Sequence, residues 1–192
     1  MTNSILNKYK IKIPKNTKIL YCNDKNLITI LGTNAIKTME LKLKLKILEK
    51  KNLIFVTEIS TKLISNVNKK NIKSLRGTTT ALIKQLLVEA SIVTYKKLKF
   101  IGIGYKAFSV DKFENKLMLM KLGFSHFIYF KIPKNLSIFC LKQTKIFIYG
   151  SEYQYLSQTA SQIQQLKLPE PYKGKGILYE NTKIKLKEGK KT

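Results

Sequence analysis

Alternating apolar and charged residues dominate the first half of the chain. Within Met39–Ile47, the odd positions from 41 onwards are leucine or isoleucine and the even positions are lysine or glutamate. A period of two places the apolar side chains on one face of a β-strand and the charged ones on the other. Leu53–Glu58 is the predicted partner strand, and Phe100–Phe108 with Lys116–Leu122 is predicted to form a second hairpin. The pattern therefore predicts antiparallel sheets.

Two segments have helical spacing, Thr78–Tyr95 and Ser151–Lys167. Ser151 and Gln154 have the spacing of a capping box, and Pro169 follows the predicted end of the second helix. The apolar positions on the helix faces are Leu82, Ile83, Leu86, Leu87, Ala90 and Val93 in the first segment and Leu156, Ala160, Ile163 and Leu166 in the second.

Part of the sequence occurs twice. Lys12–Asn16 is identical to Lys131–Asn135, and Ile28–Gly32 resembles Ile146–Gly150 at nearly the same offset. A five-residue identity in a chain rich in lysine and isoleucine can arise by chance. The ordered series of matches instead favours a duplicated unit.

These elements together predict an α+β fold. We expect two similar small domains from an internal duplication, each an antiparallel sheet packed with one helix. The predicted boundaries are 1–96 for the N-terminal domain, 97–180 for the C-terminal domain and 181–192 for a basic tail.

The net charge of the chain limits the classes of function that the sequence supports. The 192 residues include 37 Lys and Arg against 11 Asp and Glu, a net charge of +26, and 44% are hydrophobic. The apolar content excludes a disordered basic tail, and the self-repulsion argues against a free enzyme that acts on small neutral molecules. Nucleic acid is the first candidate partner and an anionic membrane the second. The predicted helices are among the less charged segments, which argues against the membrane.

The choice of lysine over arginine indicates the composition of the genome, whereas the positive charge indicates the binding partner. Arg76 is the only arginine, and lysine, asparagine, isoleucine, phenylalanine and tyrosine are all abundant. Codons rich in A and T encode these residues, so we infer an A/T-rich genome, with an organelle as the leading source. The first residues contain neither a long apolar run nor arginine, so we expect neither a secretory signal nor a transit peptide.

Catalytic and metal sites have little support in the sequence. Cys22 and Cys140 have no metal-type neighbours, and His126 is the sole histidine, without a nucleophile or carboxylate constellation. The cysteines allow a disulfide, but a reduced compartment is favoured. Gly102–Ala107 matches a loose dinucleotide pattern, yet strand-like sequence follows where that site needs a helix. We therefore expect no enzyme activity, cofactor or metal, and the glycines are interpreted as a bulge or close backbone packing.

The strongest candidate site is the segment Lys167–Gly176, with the sequence Lys-Leu-Pro-Glu-Pro-Tyr-Lys-Gly-Lys-Gly. Prolines stiffen the chain, glycines allow close approach of the backbone, and tyrosine can stack on a base while lysines reach phosphates. A solvated tail is the alternative interpretation. The candidate RNA-binding residues in and after this segment are Lys167, Tyr172, Lys173, Gly174, Lys175, Gly176, Lys183, Lys185 and Lys187.

Several motifs resemble ribosomal protein L6 of the large subunit. The most specific is Pro169–Ile177, and the resemblance extends through Leu122–His126, Ile103–Ala107, Leu75–Thr79 and Ile11–Pro14. The resemblance implies two duplicated α+β domains and a structural protein without catalysis. It also implies direct binding to large-subunit rRNA, near the region where translational GTPases act, with neighbouring ribosomal proteins as further partners. His126 is interpreted as a strand-end polar residue or an RNA contact, and Ser125 and His126 are included among the candidate RNA-binding residues.

The sequence departs from the family pattern at three places. Gly32–Ala35 replaces a Gly-Pro-Lys-Gly turn, Phe127 stands where proline is usual, and glutamines at 162, 164 and 165 replace arginine. A contact at the first turn is therefore in doubt. Composition and resemblance together point to a mitochondrial ribosome and an organelle-encoded protein, with a plastid or an A/T-rich bacterium as the alternative.

Overall fold

The computed structural model describes residues 9–48, 52–57, 66–110 and 117–189. The chain divides into two compact units, 1–93 and 94–192. The predicted domain boundary after residue 96 lies inside a strand that begins at Thr94.

Both units have the same order of elements in the described ranges, six strands followed by a helix. The N-terminal unit contains β1 (Lys10–Lys12), β2 (Lys18–Cys22), β3 (Leu27–Leu31), β4 (Ile36–Glu40), β5 (Leu45–Leu48), β6 (Leu53–Val56) and α1 (Asn66–Ser91). The C-terminal unit contains β7 (Thr94–Ile101), β8 (Lys106–Ser109), β9 (Leu117–Lys121), β10 (Ile128–Lys131), β11 (Leu136–Lys142), β12 (Lys145–Gly150), α2 (Tyr153–Leu166) and β13 (Gly176–Tyr179).

The sheets of the two units are connected in the same way. In the N-terminal unit the strand orders are β1-β6-β5 and β2-β3-β4, and in the C-terminal unit they are β11-β12-β7-β13 and β10-β9-β8, all antiparallel. Each unit thus has two small sheets, where the sequence predicted one. The α+β fold of two similar units is confirmed.

Apolar residues from both sheets and the helix form a separate core in each unit. Ile28, Ile54 and Ile83 are fully buried in the N-terminal core, and Ile148 and Ile163 are fully buried in the C-terminal core. Their burial is the main source of stability of each unit, since a fully buried aliphatic side chain contributes about 1.5–3 kcal/mol.

The residue correspondence inferred from the repeat was wrong. The matched segments are β2 and β3 in the N-terminal unit but β11 and β12 in the C-terminal unit, which are its fifth and sixth strands. What they share is a local turn: Pro14 O accepts a hydrogen bond from Thr17 N at 3.2 Å, and Pro133 O accepts one from Leu136 N at 3.1 Å. Strand order, and not these matches, aligns the two units.

The predicted strand Met39–Ile47 is divided into the end of β4 and most of β5. Its alternation still describes burial, because Leu41, Leu43 and Leu45 are buried while the intervening lysines are exposed. β5 pairs with β6 as predicted, up to Val56. Glu58, the predicted end of that strand, lies outside the described residues.

The second predicted hairpin is confirmed as β8 and β9. The predicted strand Phe100–Phe108 is interrupted, because Gly102 and Gly104 have φ values of +153° and +76°. A Cβ on Gly102 would lie 2.9 Å from the ring of buried Tyr105, so the glycine permits close packing. Lys116 and the turn before it lie outside the described residues.

Helix α1 begins earlier than predicted. It starts at Asn66, before the predicted start at Thr78, and Gly77 lies inside it. The buried Arg76 donates from Nη2 to Val56 O at 3.1 Å, and this contact fixes the first half of the helix to β6. Leu82, one of the apolar positions assigned to the helix face, is exposed, and Val93 is exposed beyond the end of the helix. Tyr95 belongs to β7.

Helix α2 confirms the predicted buried face but not the predicted cap. Leu156, Ala160 and Ile163 are buried against the C-terminal core. The N-cap residue is Glu152 and no side-chain hydrogen bond caps this helix end, so the box predicted at Ser151 was wrong.

Candidate nucleic-acid interface

The segment between α2 and β13 forms a closed loop, which we call the C-terminal loop (residues 167–176). Glu170 N donates to Lys175 O at 2.9 Å, and Gly174 N donates to Glu170 O at 2.8 Å. These bonds place Tyr172 and Lys173 at the apex, where both side chains are exposed. The backbone holds an aromatic ring and an ammonium group outwards at adjacent positions.

Two glycines make this loop possible. Gly174 has φ +69°, in the left-handed region that favours glycine. Gly176 has φ +151°, and a Cβ there would lie 2.6 Å from Pro169 Cα. Both glycines are buried, so they shape the loop and do not offer side chains to a ligand.

The segment after β13 lies against the same loop, and we call it the tail segment (residues 182–189). Lys187 N donates to Pro171 O at 2.9 Å, and Leu186 lies beside Gly174. The segment begins at Thr182, whose N and Oγ1 both donate to Tyr179 O. The exposed predicted lysines of this segment are Lys183, Lys185 and Lys187.

A third segment, the Phe124 loop (residues 123–127), connects β9 to β10. Its Phe124 ring stacks on His126 with centroids 5.6 Å apart and planes 19° apart. Lys167 Nζ lies 4.4 Å from the centroid of the same Phe124 ring, a cation–π distance. Through Phe124, the structure brings the predicted residues Lys167 and His126 together, and Ser125 is exposed beside them.

The electrostatics of this region favour an anion. Residues 167–189 contain six lysines and three glutamates. One of those glutamates, Glu180, is already paired, with Lys145 Nζ at 3.2 Å and Lys97 Nζ at 3.6 Å. The hydrogen bond from Lys145 lowers the pKa of Glu180, which keeps this carboxylate ionised and occupied. The surface left for a ligand is therefore rich in ammonium groups and aromatic rings.

Comparison with known proteins identifies the family. The family model for ribosomal protein L6 matches residues 101–180. Large ribosomal subunit protein uL6m of Reclinomonas americana is 37% identical over 185 residues, which are 95% of this chain and 96% of that protein. Large ribosomal subunit protein uL6 of Mycoplasma capricolum subsp. capricolum is 32% identical over 180 residues, with 94% and 93% covered. The uL6 protein of Neisseria gonorrhoeae is 36% identical over 128 residues, with 67% and 70% covered.

The chain belongs to the ribosomal protein L6 family. It is a large-subunit ribosomal protein, a structural component rather than an enzyme. The family-matched region includes the Phe124 loop and the C-terminal loop, and it ends before the tail segment.

The turn at residues 32–35 has a structural role. Asn34 N and Ala35 N donate to Ala90 O at 2.9 and 3.3 Å, and Thr33 Oγ1 donates to Ser91 O at 2.9 Å. The carbonyls at the end of α1 would otherwise lack helical partners. Residues 32–35 thus cap the end of α1.

Phe124 is the residue of this L6 site that the sequence analysis did not single out. Its role depends on a contact with Lys167, 43 positions later in the printed sequence, which no local pattern reveals. The signal available in the sequence was the position of this aromatic residue directly before the predicted pair Ser125 and His126. Arg76, by contrast, is buried under β6 and Tyr9, and burial lowers the pKa of its guanidinium. The arginine therefore belongs to the N-terminal core.

The structure also shows the surroundings of the dinucleotide-like glycines and of the two cysteines. The strand β8 follows the glycines at 102 and 104, where a dinucleotide site requires a helix. Cys22 and Cys140 are free thiols. Among the described residues, no cluster of three or more His, Cys, Asp or Glu could hold a metal ion. Within the same ranges, neither helix is long and apolar enough to cross a membrane.

Proposed function

We propose that this protein binds large-subunit rRNA directly through its C-terminal unit. The observation that carries the proposal is the convergence of the C-terminal loop, the tail segment and the Phe124 loop. Backbone hydrogen bonds fix the first two, and the Lys167–Phe124 contact connects the first with the third. The proposed contact residues are Lys167, Tyr172, Lys173, Lys175, Lys183, Lys185, Lys187, Ser125 and His126, with Gly174 and Gly176 shaping the loop.

Different residues of the proposed interface would contact the phosphates and the bases of the RNA. Lysine ammonium groups neutralise phosphates and release counterions, which supplies affinity without reading sequence. Tyr172 and the Phe124–His126 pair offer ring faces or edges to unpaired bases. The L6 resemblance adds that the contacted rRNA lies near the region where translational GTPases act.

We further propose that the protein works in a mitochondrial ribosome. The lysine-dominated, A/T-type composition and the 37% identity to the uL6m protein over nearly the whole chain support this location. The bacterial uL6 relatives are almost as similar, so the genome that encodes the gene decides between an organelle and a bacterium. Sequencing the gene in purified mitochondrial DNA tests the location, and its presence on an A/T-rich bacterial chromosome would contradict it.

Salt dependence of binding tests the RNA proposal. We expect the full-length protein to bind a cognate large-subunit rRNA fragment with a log–log salt slope of about −0.7 to −0.9 per phosphate contact. The double substitution of Lys173→Glu and Lys175→Glu should weaken binding and reduce that slope by about two contacts. A slope near zero for the unsubstituted protein would overturn the proposal.

The matched control reverses two charges in the N-terminal unit. Lys42 and Lys46 are exposed and lie outside all three segments of the proposed interface. Lys42→Glu with Lys46→Glu changes the net charge by the same amount. We expect this variant to bind nearly as the unsubstituted protein does. Equal weakening by both double variants would show that net charge alone, and not the C-terminal loop, governs binding.

A further inference from the structure

A cavity of about 460 Å³ lies beside the start of β7, and one of its lining residues, Asn181, directly precedes the tail segment. Its lining residues are Tyr95, Lys96, Lys97, Tyr153, Tyr179, Glu180 and Asn181. Such a volume is in the range of small-molecule and nucleotide sites. Three tyrosines, two lysines and an amide converge on it.

Lys96 is placed between two tyrosine rings of this cavity. Its Nζ lies 5.2 Å from the Tyr153 ring centroid and 5.1 Å from the Tyr179 ring centroid. Lys97 and Glu180 instead form an ion pair at 3.6 Å. Among the described residues, no carboxylate pairs with Lys96, which leaves its ammonium group to an incoming anion.

Tyr95 connects the cavity to a row of rings on the outer face of the sheet. Its ring lies 5.3 Å from Phe147, which lies 5.9 Å from Tyr149, which lies 5.6 Å from Phe139. We call these four rings the aromatic row. Ile146 and Ile148 alternate with two of them and are buried in the core, so the aromatic row lies on the opposite face of the sheet.

The geometry points to a site for an unpaired nucleotide of RNA. The base would stack on Tyr95 at the end of the aromatic row, where Lys97 Nζ lies 5.7 Å from the ring centroid, and the adjoining phosphate would contact Lys96, which lines the same cavity. Asn181 supplies an amide that can pair with a base edge. The inference rests on the proposed RNA-binding function and adds a second contact surface to it. This second surface would bind single-stranded RNA and not duplex RNA.

Charge and ring chemistry favour RNA over a protein partner at this face. Tyrosine rings beside lysines are the pattern used by proteins that bind single-stranded nucleic acid, where each stacked base contributes to affinity. Glu180, the one acidic residue among the described residues that line the cavity, is paired with Lys97 and Lys145 and so adds little repulsion. A chain with a net charge of +26 also attracts a polyanion to any such surface.

The test measures binding of the full-length protein to two probes with equal numbers of phosphates. One probe is an unstructured oligouridylate and the other is a blunt RNA duplex. Tyr95→Leu removes the ring, Tyr95→Phe retains it, and Tyr129→Leu removes an exposed tyrosine on β10 outside the cavity. The chain has ten tyrosines and no tryptophan, so quenching of tyrosine fluorescence by a stacked base provides a second readout.

We expect Tyr95→Leu to weaken oligouridylate binding roughly five- to hundredfold and to leave duplex binding unchanged. Tyr95→Phe and Tyr129→Leu should bind both probes as the unsubstituted protein does. Unchanged duplex binding by Tyr95→Leu shows that its electrostatic attraction to RNA is intact, and a urea unfolding curve like that of the unsubstituted protein shows that the variant is folded.

Three results would overturn the inference. Equal oligouridylate binding by Tyr95→Leu and the unsubstituted protein removes the nucleotide site while leaving the proposed function intact. A defect of Tyr95→Leu in assembly into the subunit, without a defect in oligouridylate binding, assigns this face to a protein partner. Failure of the unsubstituted protein to bind either probe or the rRNA fragment overturns the proposed function and the inference with it.

Discussion

The two units share an order of strands and helix but use their connecting segments differently. In the N-terminal unit, the turn at residues 32–35 folds against the end of α1 and satisfies its carbonyls. In the C-terminal unit, the C-terminal loop holds Tyr172 and Lys173 outwards, and the Phe124 loop exposes Ser125 and His126. A duplicated scaffold thus carries a structural turn in one copy and a candidate binding surface in the other. Function belongs to loops placed on the fold rather than to the fold itself.

Core truncations give the largest expected effect in this comparison. Ile163→Ala and Ile83→Ala each remove a fully buried side chain on the helix of one unit, and each should lower the free energy of unfolding by about 2–5 kcal/mol. We expect the loss of hydrogen-exchange protection to be confined to the substituted unit. RNA binding should suffer only with Ile163→Ala. Loss of protection in both units from either change would show that the units unfold as one body.

Replacing a glycine with alanine should change the free energy of unfolding in opposite directions in the two units. Gly176→Ala introduces a Cβ 2.6 Å from Pro169 Cα at a left-handed φ and should destabilise by about 1–3 kcal/mol. Gly77→Ala, in the exposed middle of α1 with open space around it, should stabilise by about 0.5–1 kcal/mol. Urea unfolding of both variants measures the difference. Destabilisation by both would show that α1 at residue 77 needs glycine.

Two threonine variants compare matching hydrogen bonds. Thr33→Ala removes the hydrogen bond from Oγ1 to Ser91 O, and Thr182→Ala removes the hydrogen bond from Oγ1 to Tyr179 O while the bond from Thr182 N to the same carbonyl remains. Each should lower stability by about 0.5–1.5 kcal/mol. Only Thr182→Ala should weaken binding to the rRNA fragment, because Thr182 begins the tail segment. Weaker binding by Thr33→Ala would place the turn at residues 32–35 at the RNA surface.

The smallest expected effect is a pH dependence from Glu180. Lys145 lowers the pKa of Glu180 below the ordinary value of 4.5. A carboxyl whose pKa is lowered by folding stabilises the protein above the unfolded-state pKa, and that contribution is lost as the pH falls through the lowered pKa. We expect Glu180→Gln to reduce the loss of stability below pH 4.5, with Lys145→Gln as the matched variant. Unchanged acid unfolding curves for both variants would show that the pair is too exposed to contribute.

Local patterns in the sequence predicted burial better than element bounds. The leucines at 41, 43 and 45 are buried as the alternation required, although the chain bends between β4 and β5. The alternation shows which side chains face the core. It does not show where a strand ends, because a bend between two strands leaves the alternation unchanged. The start of α1 was missed because Gly77 weakens a helix locally, while Arg76 anchors it through a bond to β6.

The sequence predicted most residues of the candidate site but not the tertiary contacts that bring its segments together. Proline, glycine and lysine spacing marked the C-terminal loop, since these residues have local conformational and chemical roles. The Lys167–Phe124 contact and the Lys187–Pro171 bond join positions that are distant in the sequence, so only tertiary structure reveals them. The aromatic row also depends on cross-strand register, which brings Tyr95 and Phe147 together from separate strands.

Ultraviolet cross-linking of the native large subunit, followed by mass spectrometry of the peptides attached to rRNA, tests the central claim most directly. It reads the contact surface without any substitution. The account predicts cross-links in the C-terminal loop, the tail segment and the Phe124 loop, and none in the turn at residues 32–35. Cross-links confined to the N-terminal unit would contradict it.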